Sequence, residues 1–444
     1  MFGYSFIALG FFGLIVPLLI NLVPLVDCLD NGLARTPPMG WMTWAKFSCI
    51  VNCTAQPDDC ISDKLIRSMA SVMVSEGYLD AGYNYINIDD CWSEMERDSI
   101  TSALLPDHER FPYGMRNLSN FVHSIGLRFG MYGDIGTKTC QGYPGFWIGN
   151  GSASDYFLLD SETFASWGVD SLKVDGCYQD IDIFDKIYPR LGEMLNFTGR
   201  PMLYSCSWPA YQVYVSREPD YASIAKYCNL WRNFDDIELS FHSILSIIEF
   251  FAKNHDDFVR YQTPGAWFDP DMIIIGNEEL TLGQARVQMA VWSILAAPLL
   301  MSNDLRKIKP EFKEILLNRK IIAVDQDPMG IMGERVYNST DLQIWVKPIE
   351  PLVESKPSFA IAYVNLGGAQ NFSFKLGDIL TGKNAASSYS IEDLFGDEHL
   401  SSPLTLSANL TLKVGGDGDA RMVKIIPRDG LVLEPMSSNE VDQF

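Results

Sequence analysis

The stretch SLKVD, residues 171–175, alternates apolar and polar side chains and ends on a carboxylate. This alternation predicts a short β-strand, and its period of two places Lys173 and Asp175 on the same strand face. A helical pattern follows the strand, so the stretch forms one strand–helix unit. The fold therefore depends on how many such units the chain contains.

Comparable apolar stretches recur along the chain between Arg35 and Gln326. Together with SLKVD they make eight candidate strands: MGWMTW (39–44), YINID (85–89), LRFGMY (127–132), SLKVD (171–175), PMLYSC (201–206), NLWRN (229–233), AWFD (266–269) and PLLMS (298–302). The segments between them place apolar residues at three- and four-residue steps, which is typical of amphipathic helices. Eight such units predict an α/β protein with a (β/α)8 TIM barrel over residues 29–326.

The sequence pattern changes after Asp327-Pro328. Alternating segments separated by polar and glycine-rich clusters follow: LQIWVKP (342–348), SFAIAYVNL (358–366), NFSFKL (371–376) and MVKIIP (422–427). They predict a C-terminal antiparallel β-sandwich domain over residues 327–444. Because this region has no dense cluster of titratable and aromatic residues, we predict a packing role for it, with carbohydrate binding as the alternative.

The N-terminus is apolar and carries no charged side chain before Asp27. The run is long enough to cross a bilayer, so a retained anchor is one interpretation. Pro17, Asn21 and Pro24 lie near its end, and polar sequence begins abruptly after Cys28. These features favour a cleaved signal peptide over residues 1–28 and no stable membrane anchor.

The net charge of -22 argues against nucleic acid or an anionic membrane as a partner, since both select for Lys and Arg. Acidity suits an acidic compartment, although it also simply keeps a surface soluble. Eight cysteines remain after Cys28, an even set that fits an oxidising compartment. With five histidines and no paired CxxC spacing, we predict no metal site.

Seven sequons also favour the secretory pathway, although each one alone is a weak signal. They are Asn52, Asn117, Asn150, Asn196, Asn338, Asn371 and Asn409. Together with the signal peptide and the cysteine count, they predict a lysosomal or secreted protein.

Carboxylates cluster at the ends of the candidate strands, where TIM barrels carry their active sites. They are Asp89, Asp90, Asp175, Asp235, Asp236, Asp269 and Asp271. A single strand-end Asp is usually a turn former, but several on one face repel each other and need a compensating use.

The other side chains at these strand ends favour a sugar over a metal or a nucleotide. Six aromatic rings lie beside Lys173 and Arg232: Trp44, Trp92, Tyr132, Trp208, Tyr211 and Trp231. Flat rings and forked polar groups suit the apolar face and the hydroxyl groups of a sugar. Neither a glycine-rich phosphate loop nor a GxSxG turn is present, and we predict no cofactor.

Seven motifs in this order carry a family resemblance: LDNGLARTPPMGW, NIDDCW, LKVDGCY, YSCSWPAY, NLWRNFDDI, FDPDM and APLLMSNDL. They resemble the animal α-galactosidases and α-N-acetylgalactosaminidases of glycoside hydrolase family 27, from Leu29 to about Pro328. The C-terminal region is matched only by position and pattern. The resemblance implies a barrel followed by an antiparallel β domain, and a retaining exo-glycosidase that forms a homodimer.

By position, Asp175 matches the family's nucleophile and Asp236 its acid/base, whereas Asp235 matches no catalytic residue. In a retaining mechanism these two carboxyl groups lie roughly 5 Å apart. The resemblance also implies a set of substrate-binding residues: Trp44, Asp89, Asp90, Tyr132, Cys140, Lys173, Cys177, Ser207, Ala210, Tyr211, Arg232, Asp271 and Met272. It implies the disulfides Cys49–Cys91, Cys53–Cys60, Cys140–Cys177 and Cys206–Cys228.

Ser207 and Ala210 occupy the two positions where α-galactosidases carry Glu and Leu beside the sugar's 2-position. These small residues leave room for an acetamido group, with Tyr211 as a wall, so we predict an α-N-acetylgalactosaminidase. An α-galactosidase is the alternative, and a non-catalytic sugar-binding protein is a third interpretation. Phe268 departs from the family, where Asn is found, and we expect it to affect a pocket wall or the activity.

Overall fold

The computed structural model describes residues 28–148, 155–396 and 403–428. The predicted signal peptide, except Cys28, and the sequon at Asn150 lie outside these ranges. The other six sequon asparagines are exposed, and their occupancy stays a prediction. Among the described residues, no helix combines the length and hydropathy needed to cross a membrane.

Eight parallel strands form the first sheet, as the sequence pattern predicts. They are β1 Met39–Met42, β2 Tyr85–Asn87, β3 Arg128–Asp134, β4 Ser171–Asp175, β5 Leu203–Cys206, β6 Leu230–Arg232, β7 Trp267–Asp269 and β8 Leu299–Met301. Neighbouring strands follow each other in sequence from β1 to β7, and β8 returns to pair with β1. Between β7 and β8, Ile273 bridges to Met301 in parallel register.

Helices connect and surround these strands. They are α1 Trp44–Phe47, α2 Asp63–Ser75, α3 Tyr78–Ala81, α4 Gly114–Ser124, α5 Phe157–Trp167, α6 Phe184–Phe197, α7 Trp208–Tyr214, α8 Tyr221–Tyr227, α9 Phe241–Phe258, α10 Leu282–Leu295, α11 Pro310–Leu316 and α12 Arg319–Asp325. Because helices cover the outside of the barrel and side chains fill its inside, nearly every strand residue is buried.

The C-terminal region is antiparallel. Its strands are β9 Glu334–Asn338, β10 Leu342–Val353, β11 Lys356–Asn365, β12 Gln370–Lys375, β13 Ser388–Asp393, β14 Leu404–Thr405, β15 Asn409–Val414 and β16 Asp419–Pro427, with a short helix α13, Leu376–Ile379, after β12. A six-stranded sheet has the order β14-β13-β16-β11-β10-β9, and β12 pairs with β15 in a second sheet.

Successive side chains of strand β11 face two different hydrophobic cores in alternation. Phe359, Ile361 and Tyr363 face the two-stranded sheet and form the inside of the sandwich. The small residues between them, Ala360 and Ala362, belong to the core that the strand shares with the barrel. This two-faced strand explains how the β sandwich packs closely on the barrel.

Helix α10 is buried on all sides because it lies between the barrel and the β sandwich. It begins with a capping box, in which Thr281 accepts from the Gln284 backbone and Gln284 accepts in return. Beside it, the buried Lys347 Nζ of β10 donates to the carbonyl oxygens of Ser293 at 3.1 Å and Val324 at 2.6 Å. A fully buried ammonium requires such partners, so the lysine ties the two regions together.

The predicted division at residue 327 falls between α12 and β9. We propose it as the domain boundary. The four disulfides implied by the family resemblance are present in the structure: Cys49–Cys91, Cys53–Cys60, Cys140–Cys177 and Cys206–Cys228. All four lie in the barrel half of the chain.

Candidate active site

A cavity of about 440 Å³ opens at the carboxyl ends of the barrel strands. Its lining residues are Trp44, Asp89, Asp90, Tyr132, Cys140, Lys173, Asp175, Cys177, Ser207, Ala210, Tyr211, Tyr214, Arg232, Phe234, Asp235 and Asp236. The structure therefore brings together every predicted site residue except Asp271 and Met272.

Asp175 is the last residue of β4 and receives two polar contacts inside the cavity. Ser207 Oγ donates a hydrogen bond to Asp175 Oδ1 at 2.5 Å. Lys173 Nζ lies 3.8 Å from Asp175 Oδ2, as the shared strand face predicts. The donor and the cation restrain the orientation of the Asp175 side chain.

Lys173 also joins Asp175 to the second strand. Its Nζ donates to Asp89 Oδ2 at 2.8 Å. Burial alone would lower the pKa of Lys173, but Asp175 and Asp89 raise it above its ordinary value. Burial also raises the pKa of Asp89, against the opposing effect of Lys173. The lysine therefore stays charged and compensates two neighbouring carboxylates.

Asp90 connects the second strand end to the loop after β3. Its carboxylate accepts from the backbone N–H groups of Cys91 at 2.6 Å and Gln141 at 3.0 Å. Burial raises the pKa of Asp90 to about 6 despite these donors. Asp90 is thus a buried acceptor within the cavity that changes charge in mildly acidic solution.

The disulfide Cys140–Cys177 forms a side wall next to Asp175 and joins the loops that follow β3 and β4. Tyr211 OH lies 3.4 Å from Cys140 Sγ and 3.2 Å from Cys177 Sγ. Tyr132 OH donates towards Cys140 Sγ at 3.6 Å. The two tyrosines and the disulfide therefore form one wall of the cavity.

Asp134 was not among the predicted site residues, because the predicted third strand ended at Tyr132, whereas β3 continues to Asp134. It pairs in register with Asp175 and is fully buried. Its carboxylate accepts from Gly136 N at 2.7 Å and Cys177 N at 3.0 Å. Burial, with Asp175 beside it, raises the pKa of Asp134 well above its ordinary value.

Asp134, Cys140 and Cys177 are close enough together to resemble a metal-binding group. The two sulfur atoms are bonded to each other, so neither can act as a thiolate ligand. Asp134 instead acts through its two backbone hydrogen bonds, which position the loops on either side of the nucleophile candidate.

On the opposite side of the cavity, Arg232 bridges two carboxylates. One guanidinium nitrogen lies 3.0 Å from Asp236 Oδ1, and the other lies 2.9 Å from Asp271 Oδ2. Arg232 and Asp271 are buried, whereas the Asp236 side chain is 74% exposed. The guanidinium of Arg232, aided by Lys173, holds the pKa of Asp236 below its ordinary value.

Three residues that the sequence placed near the pocket lie behind its surface. Asp271 supports Arg232 and accepts from Ile237 N at 2.7 Å, while Met272 is buried in the core. Phe268 points away from the cavity into the helix layer, where its ring centroid lies 4.3 Å from that of Phe258. The expectation that Phe268 affects a pocket wall is therefore not met by direct contact.

The outer part of the cavity contains two residues that sequence reasoning did not select, Tyr214 and Phe234, together with Asp235, which it had grouped with the strand-end carboxylates. Tyr214 ends α7, and Phe234 and Asp235 follow β6. Tyr214 is 83% exposed, the sequence gives it no motif, and only the folded helix shows that it faces the cavity. Together with Asp236, these residues form the mouth of the cavity, which we define as Tyr214, Phe234, Asp235 and Asp236.

Comparisons with known proteins agree with this architecture. The sequence profile of the family described as Alpha galactosidase A matches residues 36–327. The chain is 43% identical over 391 residues to the alpha-N-acetylgalactosaminidase of Gallus gallus, covering 88% of this chain and 93% of that protein. It is 45% identical over 368 residues to alpha-galactosidase A of Homo sapiens, covering 82% of each.

A solved structure also matches the fold. Alpha-galactosidase I from Mortierella vinacea superimposes with a TM-score of 0.75 at 28% identity, covering 90% of this chain and 99% of that one. The family profile alone spans well over half of the sequence. The chain therefore belongs to the alpha-galactosidase A family of glycoside hydrolases.

Proposed function

We propose that this protein is a retaining exo-glycosidase that removes terminal α-N-acetylgalactosamine, and also α-galactose, from glycolipids, glycoproteins and oligosaccharides. The observation that supports it best is that Asp175 and Asp236 line the same cavity, one held by Ser207 and the other exposed at the mouth. Binding alone does not require this pair, so a non-catalytic sugar-binding protein is less well supported.

In the proposed first step, Asp175 attacks the anomeric carbon and forms a covalent glycosyl ester as the bond to the leaving oxygen breaks. Asp236 gives its proton to that oxygen. In the second step Asp236 takes a proton from water, whose oxygen attacks the anomeric carbon and releases Asp175 as a carboxylate. The two inversions leave the α configuration unchanged.

The lowered pKa of Asp236 beside Arg232 favours its ionised form, whereas the first step needs its protonated form. Its lowered pKa therefore favours activity in acidic solution, where the protonated fraction is larger. When Asp236 takes up a proton, Arg232 keeps Asp271 as a partner at 2.9 Å. The buried guanidinium thus keeps a hydrogen-bonding partner when Asp236 is protonated.

The buried end of the cavity is suited to an axial hydroxyl group. Asp89, Asp90 and Lys173 offer acceptors and a donor that glucose, with its equatorial 4-hydroxyl, would leave unpaired. Unpaired buried polar groups are strongly penalised. Beside them, Ser207 and Ala210 leave space for an acetamido group, which supports N-acetylgalactosamine over galactose as the preferred sugar.

Turnover of two nitrophenyl α-glycosides tests the proposal directly. We expect the 2-acetamido galactoside to be cleaved with the higher kcat/KM and the plain galactoside more slowly. A higher value for the plain galactoside would make α-galactosidase the main activity. Binding of both sugars without turnover would instead identify a sugar-binding protein.

For Asp236→Asn we expect slow deglycosylation, because no general base remains to activate water. Nitrophenolate is a good leaving group, so the covalent intermediate still forms and then accumulates. Added azide attacks it without needing a base, which restores turnover and produces the α-glycosyl azide. Mass spectrometry of the intermediate and NMR of the azide product measure both effects.

Asp182→Asn is the matched control, since Asp182 is an exposed carboxylate that pairs with Arg217 outside the cavity. It should keep wild-type rates and show no azide effect. A β-glycosyl azide from Asp236→Asn would contradict the assignment, because that product requires direct displacement with Asp236 as the missing nucleophile.

We also propose that the protein reaches the lysosome through the secretory pathway, acts there, and forms a homodimer. Sedimentation equilibrium at acidic and neutral pH tests the dimer. A uniformly monomeric protein at micromolar concentration would contradict it.

The folded protein should be more stable at acidic pH than at neutral pH. Burial raises the pKa of Asp90, Asp160 and Asp271 from 3.8 to about 6. The folded state therefore holds these protons more tightly than the unfolded chain, so the free energy of unfolding falls as pH rises through this window. We expect a thermal midpoint several degrees higher at about pH 4.5 than at about pH 7, measured by differential scanning fluorimetry.

Two variants identify the groups responsible. Asp160→Asn should make the thermal midpoint depend less on pH, because it removes one of the titrating carboxyl groups. Asp98→Asn should leave the slope unchanged, since hydrogen bonds from Thr101 lower the pKa of Asp98 and move its titration below the window. A midpoint that rises towards neutral pH would contradict the linkage.

A further inference from the structure

We propose that Tyr214 and Phe234 form a binding subsite for the leaving group and that its occupant is a neutral pyranose ring, the second sugar of an α-linked glycan. The inference rests on the proposed function and extends it from the removed sugar to the group attached to it. None of the motifs that carry the family resemblance contains Tyr214.

The position of Tyr214 follows from helix geometry. Tyr211 and Tyr214 are three residues apart on α7 and therefore share a helix face. Tyr211 is partly buried against the disulfide wall, and Tyr214 continues the same face outwards, still lining the cavity but 83% exposed. Large exposed aromatic rings that continue a polar cavity are typical of sugar-binding surfaces.

Phe234 adds a rigid second ring to the mouth. It lies two residues beyond Arg232 and stacks on Phe250 of α9, with ring centroids 4.1 Å apart and planes at 17°. Because packing holds this ring from behind, its free surface is already oriented before a ligand binds. A preorganised aromatic surface loses little conformational freedom on binding.

The charges at the mouth restrict the chemistry of the occupant. Asp235 and Asp236 are both exposed there. Carboxylates accept hydrogen bonds from sugar hydroxyls, and they repel sulfated or sialylated groups. Apolar rings beside hydroxyl acceptors therefore fit a neutral sugar better than a lipid chain or an acidic glycan.

The proposed mechanism determines which side of the broken bond reaches this surface. The acid/base residue must lie next to the leaving oxygen, so the leaving group lies beside Asp236. The galactose-type sugar occupies the buried end near Asp89 and Lys173. The next ring of the substrate would then lie at the mouth, against Tyr214 and Phe234.

The test compares two substrates of the same terminal sugar, α-N-acetylgalactosamine. One is its α-fluoride, whose leaving group is too small to reach the mouth, and the other is a disaccharide with galactose as leaving group. In Tyr214→Ala, kcat/KM for the disaccharide should fall by about threefold to tenfold, and that for the fluoride by less than about twofold. Tyr214→Phe keeps the ring and should retain most of the disaccharide rate.

Binding supplies a readout that does not depend on turnover. In the background of Asp175→Asn, calorimetry should show that Tyr214→Ala weakens binding of the disaccharide by a similar factor. The affinity for the monosaccharide should stay unchanged. Tyr113→Ala is the matched control, because Tyr113 is 73% exposed and lies outside the cavity lining. It should change neither kcat/KM nor the binding affinity for either substrate.

An unchanged disaccharide-to-fluoride ratio in Tyr214→Ala would overturn the subsite. An equal loss for a serine-linked sugar and for the disaccharide would also overturn it, because recognition would then not depend on a second ring. Failure of the proposed function looks different, since the wild-type protein would then turn over neither substrate.

Discussion

Asp175→Asn should abolish turnover while the protein stays folded. The amide is close in size to the carboxylate and can still accept the hydrogen bond that Ser207 donates at 2.5 Å, but it cannot form the glycosyl ester. We expect kcat to fall by at least about four orders of magnitude, or about 5.5 kcal/mol in activation free energy. Steady-state kinetics with a nitrophenyl glycoside measures the loss, and a thermal midpoint close to wild type shows that folding is intact.

A second substitution makes the role of Asp175 specific. Asp175→Ala leaves space for azide to attack the anomeric carbon directly, so the product should be the β-glycosyl azide. This is the opposite anomer from that expected for Asp236→Asn, and the pair separates nucleophile from acid/base. Wild-type-like rates in Asp175→Asn would remove Asp175 from the mechanism.

Replacing Ser207 with Glu and Ala210 with Leu together should reverse the sugar preference. The larger side chains fill the acetamido space at a cost of roughly 1 to 3 kcal/mol to the N-acetyl substrate, and the introduced carboxylate gives the galactoside's 2-hydroxyl an acceptor worth about 0.5 to 1.5 kcal/mol. The ratio of kcat/KM for the N-acetylgalactosaminide over the galactoside should fall by roughly tenfold to a thousandfold.

The ratio is the correct measurement because Ser207 also contacts Asp175. Its removal takes a donor from the nucleophile candidate and lowers the rates with both sugars, an effect that cancels in the ratio. Ser71→Glu with Val74→Leu is the matched control, because it introduces the same two side chains, also three residues apart, on the exposed face of α2. An unchanged ratio in the folded cavity variant would mean that the acetamido group is recognised elsewhere.

The barrel was predictable because its signal is local. Short apolar strands and amphipathic helices alternate, and each of the eight predicted strands is present, although most are shorter by a residue or two. Strand β4 has its predicted bounds, whereas β3 extends beyond its predicted end, since it continues through Gly133 to Asp134. A glycine before an acidic residue usually indicates a turn, and only pairing with β4 makes this segment a strand.

The site was predictable in part for the same reason. Carboxylates at the ends of successive parallel strands must meet at one edge of the barrel, so Asp89, Asp90 and Asp175 could be grouped before the fold was known. The family resemblance added the roles of Ser207 and Ala210. Neither source placed Tyr214 in the cavity, because its exposure depends on how far α7 extends beyond the barrel.

The sequence by itself determined the order of strands and helices, the change to antiparallel β structure after residue 327, and the carboxylates that share one end of the barrel. These follow from periodicity and strand direction, which are local properties. Only the tertiary structure decided that Arg232 bridges Asp236 and Asp271, that Ser207 donates to Asp175, and that Phe268 faces away from the cavity. Such contacts depend on how the strand ends, the loops that follow them and the surrounding helices pack, which local sequence patterns do not determine.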